Sequence, residues 1–108
     1  MSDPLGAERA AALAQIAALT REFDEVVAAS RASNADDEHD PEGATIAFER
    51  QQVVALLEQA RRRLADVEAA VRAVEAGTYG ICETCGRPIA AERLVARPAA
   101  RTCIDCAG

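Results

Sequence analysis

The four cysteines of this chain stand as two Cys-x-x-Cys pairs, Cys82/Cys85 and Cys103/Cys106, separated by residues 86–102. Each pair places two sulfurs on one side of a tight turn. Two such turns close a tetrahedral shell of four thiolates, the arrangement that Zn2+ takes in structural sites. Four thiolates leave no position for water, so the spacing predicts one structural Zn2+ and no catalysis at the metal. Gly86, directly after Cys85, suits a turn that needs positive φ, while Pro88 and Pro98 stiffen the segment between the pairs. Iron can take the same ligands, and disulfides form on export. Redox dithiols use a single pair at a helix N-terminus within an α/β pattern, which this sequence lacks.

The rest of the chain reads as two long helices. Half of its 108 residues are hydrophobic, but alanine inflates the count and only three aromatics are present (Phe23, Phe48, Tyr79). A composition rich in alanine, leucine, glutamate and arginine favours helices buried along a seam. Residues 1–6 read as a frayed start, with Asp3 as a candidate N-cap and Pro4 at the first helical position, and the helix proper is expected from about Ala7. Its seam is Ala12, Ile16, Leu19, Phe23 and Val26, broadened by Leu13 and Val27. The acidic run from Asp36 through Pro41 to Gly43 is turn chemistry. A second helix is predicted from Ala44 to Ala76, with the seam Val53, Leu57, Ala60, Leu64, Val67, Val71 and Val74, and with Gly77 as a left-handed cap.

The short connection between similar seams implies an antiparallel pair. The expected fold is mainly α: an antiparallel two-helix coiled-coil hairpin over residues 1–76 with an acidic tip at 34–43, and a small C-terminal four-cysteine zinc finger over 77–108. At ~1.5 Å per residue the second helix spans roughly 50 Å and sets the tip far from the cysteines. Helix capping uses one or two acids. Five in seven residues (Asp36, Asp37, Glu38, Asp40, Glu42) leave a surplus suited to an electrostatic contact.

The formal net charge of −6 disfavours general nucleic-acid binding. Arg61–Arg63 read as a solvated helix face. His39 is isolated from the cysteines and reads as a loop residue. No nucleophile with a base partner and no phosphate-cradling loop is found, so no enzymatic activity is expected. The sequence shows neither a membrane span nor a basic, apolar leader, and paired cysteines fit a metal in a reducing cytoplasm.

The run Gly77-Thr78-Tyr79-Gly80-Ile81-Cys82-Glu83-Thr84-Cys85-Gly86, followed by Ile89, Arg93-Leu94, Ala96-Arg97-Pro98 and Cys103-Ile104-Asp105-Cys106, resembles the zinc finger of the DksA/TraR family. The resemblance is close over residues 77–106; the hairpin agrees in architecture. It implies a regulator that binds RNA polymerase, inserts its coiled-coil tip into the secondary channel and modulates initiation without binding DNA. Asp36, Asp37, Asp40 and Glu42 become the polymerase-contact acids, and Arg93 and Arg97 candidates for contacts at the channel rim. The family tip pattern D-x-x-D-x-A is met here by Asp37 and Asp40 with Glu42 in the alanine place, whereas ungapped counting from the cysteines sets His39, Glu42 and Ala44 on it. Asp66 and Ala107 stand where the larger members carry basic residues for ppGpp, which argues against a ppGpp response. A monomer without membrane association is expected. Two other readings are a nucleic-acid-binding zinc module and a coiled-coil protein-interaction adaptor.

Overall fold

The computed structural model describes residues 3–34 and 41–107, with the side chains of 33, 34 and 41–44 excepted. Helix α1 spans Pro4–Asn34, α2 spans Pro41–Ala76 and a short α3 spans Ala91–Ala96. Among the described residues there is no regular strand, only an isolated antiparallel bridge between Ile81 and Pro88. No helix among them is long and apolar enough to cross a membrane.

The first helix starts at Pro4, earlier than its apolar pattern, because Asp3 caps it. The Asp3 carboxylate accepts from the Gly6 N–H at 3.0 Å, and its carbonyl accepts from the Ala7 N–H at 3.0 Å. The second helix likewise begins at Pro41 rather than Ala44. Proline has no N–H to lose in a first turn, so residues 41–43, expected in the loop, are helical. At its far end Gly77 has φ +77°. Its N–H donates to the Val74 carbonyl (3.2 Å) and the Thr78 N–H to the Ala73 carbonyl (2.8 Å), the paired bonds of a Schellman cap.

The chain forms two compact units. In the unit Ala12–Arg61, Leu19, Val53, Leu57 and Ala60 make one buried cluster, with Ile16 and Phe23 half-buried against it. The two helices of this unit are joined by residues 35–40. Six residues reach at most about 25 Å, too short to return along a 23-residue helix of about 34 Å, so the helices run antiparallel. Alanines occupy two fully covered positions, Ala12 and Ala60. Seam residue Leu13 remains 40% exposed.

The other unit joins Met1–Ala11 to Arg62–Gly108. Leu5, Val67, Ala70, Cys82 and Ile89 are its buried apolar residues. Glu8 accepts from Arg63 Nε (3.2 Å) and Nη2 (3.0 Å), and Arg9 approaches Glu68 at 4.0 Å. The seam expected to run on through Val74 does not hold, because Val74 is 53% exposed. Buried Ala70, together with Ala69 and Ala73, instead lines a cleft of about 200 Å3 shared with Tyr79–Glu83 and Ala100–Arg101. The last two turns of α2 thus present their alanine face to the cysteine-bearing segment.

Candidate metal centre

Two turns of similar design present the sulfurs. At the first, the Cys82 carbonyl accepts from the Gly86 N–H (3.0 Å), and the Cys82 N–H donates to the Arg87 carbonyl (2.8 Å). Gly86 has φ +74°, which explains why glycine follows Cys85. The adjoining ribbon is held by the Ile89 N–H on the Gly80 carbonyl (2.7 Å). At the second turn, the Cys103 carbonyl accepts from the N–H groups of Cys106 (3.1 Å) and Ala107 (2.9 Å). No described non-glycine residue has positive φ, so this turn closes without the left-handed residue of the first.

The four Sγ atoms of Cys82, Cys85, Cys103 and Cys106 lie within 4.8 Å of one another. With Zn–S bonds near 2.3 Å, a regular tetrahedron has S···S edges of roughly 3.8 Å. The Cys85 and Cys103 sulfurs are separated by 3.8 Å. The donor set is all soft sulfur, four in number and gathered at one point, so it fits a single Zn2+ in a closed shell.

Electrostatics within the cluster point the same way. Backbone hydrogen bonding from Cys103, and then from Cys85, holds the Cys82 thiol down to about 6. Hydrogen bonding with Cys103 pushes Cys106 up to about 12. The Cys85 thiol is lowered by the backbone and then the side chain of Arg87, and the thiolate raises the Arg87 guanidinium in return. Sulfurs this close cannot all ionise on their own. A divalent cation among them removes the conflict, and Arg87 offsets part of the net negative charge of a ZnS4 centre.

The surrounding contacts tie the two turns together. Tyr79 donates its hydroxyl to the Pro98 carbonyl (2.8 Å). Half-buried Arg93 donates Nε to the Thr102 carbonyl (2.9 Å). Arg101 donates to Glu83 (2.9 Å) and Asp66 (3.2 Å), and its carbonyl accepts from the Glu83 N–H (2.9 Å). Arg97 follows α3 with its side chain exposed. Sequence reasoning did not anticipate α3, although Ala91–Ala96 is made of adequate helix formers and Pro98 stops it. It also missed the Glu83–Arg101 link, whose one signal was opposite charge placed beside each cysteine pair. Asp36, Asp37, His39 and Asp40 lie outside the described residues, and Glu42 is described only as backbone in the first turn of α2.

Residues 77–108 match the prokaryotic dksA/traR C4-type zinc finger. YteA of Bacillus subtilis (strain 168) is 45% identical over 69 residues, covering 64% of this chain and 29% of that protein. The RNA polymerase-binding transcription factor DksA of Escherichia coli (strain K12) is 44% identical over 46 residues, covering 43% of this chain and 30% of that protein. The chain thus spans less than a third of the length of these relatives. The structure of transcription factor DksA2 from Pseudomonas aeruginosa superposes with a TM-score of 0.54 at 27% identity, covering 94% of this chain and 78% of that one. A C4-type finger over residues 77–108 and a DksA2-like arrangement over most of the chain are thus what this chain shares with DksA/TraR proteins.

Proposed function

We propose that this protein is a non-enzymatic transcription regulator that binds RNA polymerase. The observation that carries the proposal is the match of residues 77–108 to the C4-type finger, supported by likeness to DksA2 over 94% of the chain. In this reading Cys82, Cys85, Cys103 and Cys106 ligate one Zn2+ whose role is structural. Residues 77–108 are the base and residues 1–76 the helical arm. The arm enters the secondary channel of the polymerase and brings the acids of its tip, residues 34–43, toward the catalytic Mg2+ region, so that initiation changes without contact to DNA. Asp36, Asp37, Asp40 and Glu42 are the tip acids proposed to act there. Exposed Arg97 is the stronger candidate for the rim, because Arg93 spends its Nε on Thr102. The protein would work in the cytoplasm as a monomer and without ppGpp.

The carboxylates carry the proposed chemistry because a carboxylate near bound Mg2+ competes with the other oxygen ligands for the hard cation, or reorients them. The test is capture of purified polymerase core by the zinc-loaded protein, followed by transcription with the Asp37→Asn/Asp40→Asn variant. Binding at micromolar concentration with loss of the transcriptional effect in the variant is expected. Failure to bind core, or an unchanged effect in the variant, would overturn the reading.

A further inference from the structure

The two cysteine pairs come from segments separated by residues 86–102, yet a tetrahedral site needs them in register to a few tenths of an ångström. The contacts that cross between them therefore decide how well the shell is preset. Glu83 lies between Cys82 and Cys85, and Arg101 lies two residues before Cys103. Their backbones are joined by the Glu83 N–H on the Arg101 carbonyl at 2.9 Å. Their side chains are joined by Arg101 Nε on Glu83 Oε1, also at 2.9 Å. Backbone and side-chain bonds close one ring between the first cysteine turn and the approach to the second. The same guanidinium reaches α2 through Nη1 on Asp66 Oδ1 at 3.2 Å. One side chain thus serves two tasks: Nε holds the two cysteine turns in register, and Nη1 ties them to the helix.

We propose that Arg101 is a positioning residue for the metal centre, acting through Glu83 to preset the spacing of the two cysteine pairs, with its Asp66 bond serving only to anchor the site on α2. The proposal rests on the four-cysteine zinc assignment. The side chains of Glu83 and Arg101 bond to each other and to Asp66, not to the sulfurs. Their effect is on where the sulfurs stand, as for outer partners of metal ligands generally, whose loss typically weakens metal binding 10–100-fold. Both side chains are about half exposed, with Arg101 at 43% and Glu83 at 51%, which sets the expectation at the low end of that range.

The experiment is zinc release from the full-length, zinc-loaded protein into excess chromogenic chelator, for the parent and for Arg101→Met, Glu83→Gln, Asp66→Asn and Arg101→Lys. Co2+-loaded samples report ligand geometry through their visible spectrum. Arg101→Met and Glu83→Gln should each release zinc about 10-fold faster, Asp66→Asn should stay within about 2-fold of the parent, and Arg101→Lys should recover part of the loss. The tetrahedral Co2+ spectrum should broaden in the first two variants alone. Release at the parental rate from both Arg101→Met and Glu83→Gln would overturn the proposal. So would equally fast release from Asp66→Asn, because the effect would then be general loosening from α2. A parent protein without one zinc per chain would instead overturn the zinc assignment itself.

Discussion

The sulfurs of Cys85 and Cys103, eighteen residues apart in sequence, stand 3.8 Å apart in space, the edge of a ZnS4 tetrahedron. They belong to different cysteine pairs, so this distance reports that the two turns face one another in a metal-ready way. Purified protein should contain one zinc per chain and show no thiol reactive to an exposed-thiol reagent until a strong chelator is added. Structural zinc stabilises small finger peptides by about 10–16 kcal/mol, so Cys82→Ser should lose ordered structure in residues 77–108 rather than merely weaken it. The ligands are thiolates, and protons compete with the metal for them. Zinc should therefore be held at neutral pH and released as pH falls, which metal analysis after gel filtration at stepped pH would follow.

Val67 and Val74 are one heptad apart on α2, yet Val67 is fully buried and Val74 is 53% exposed. Removing two methyl groups from Val67 should cost about 2 kcal/mol, from lost burial and the cavity left behind. The same Val74→Ala change should fall within about 0.5 kcal/mol of zero. Urea denaturation of the two variants distinguishes them, and equal losses would restore the regular seam.

That contrast marks what could be read from the sequence. The cysteine spacing and the 4-3 repeat through Val53, Leu57 and Ala60 directly specify a sulfur cluster and a paired helix, because both depend on local period alone. Gly77 as a cap was legible for the same reason, since the left-handed position it occupies strongly favours glycine. The exposure of Val74 was not legible, because it depends on tertiary placement: the alanine face of Ala69, Ala70 and Ala73, and not Val74, lines the cleft shared with Tyr79–Glu83. Asp3 was legible as a cap, but both helices were started too late, near Ala7 and at Ala44, where polar chemistry begins them at Pro4 and Pro41. The Arg101 links to Glu83 and Asp66 span 18 and 35 residues, and no periodic pattern announces contacts of that separation.

Gly77 offers a separation of backbone from packing. A Cβ added there would meet nothing within 4 Å, so the cost of Gly77→Ala is conformational alone. At φ +77° that cost is about 1–2 kcal/mol. The variant should lower the denaturation midpoint while leaving zinc content at one per chain.

The Glu8–Arg63 pair uses two donors on one carboxylate oxygen, at 3.2 and 3.0 Å, with the side chains 35% and 41% exposed. An exposed pair of this kind contributes about 0.2–1 kcal/mol. A double-mutant cycle with Glu8→Gln and Arg63→Gln should return a coupling in that range, shrinking as salt rises. A coupling that does not change between low and high salt would mean that packing of the arginine stem, not charge, is what the pair contributes.

The most direct test of the functional account is a photo-crosslinker placed at position 40 of the zinc-loaded protein and mixed with RNA polymerase. The account predicts capture of polymerase peptides beside the catalytic Mg2+ site, abolished when the secondary channel is blocked. Crosslinks confined to the outer surface of the enzyme, or none at all from protein that carries its zinc, would contradict it.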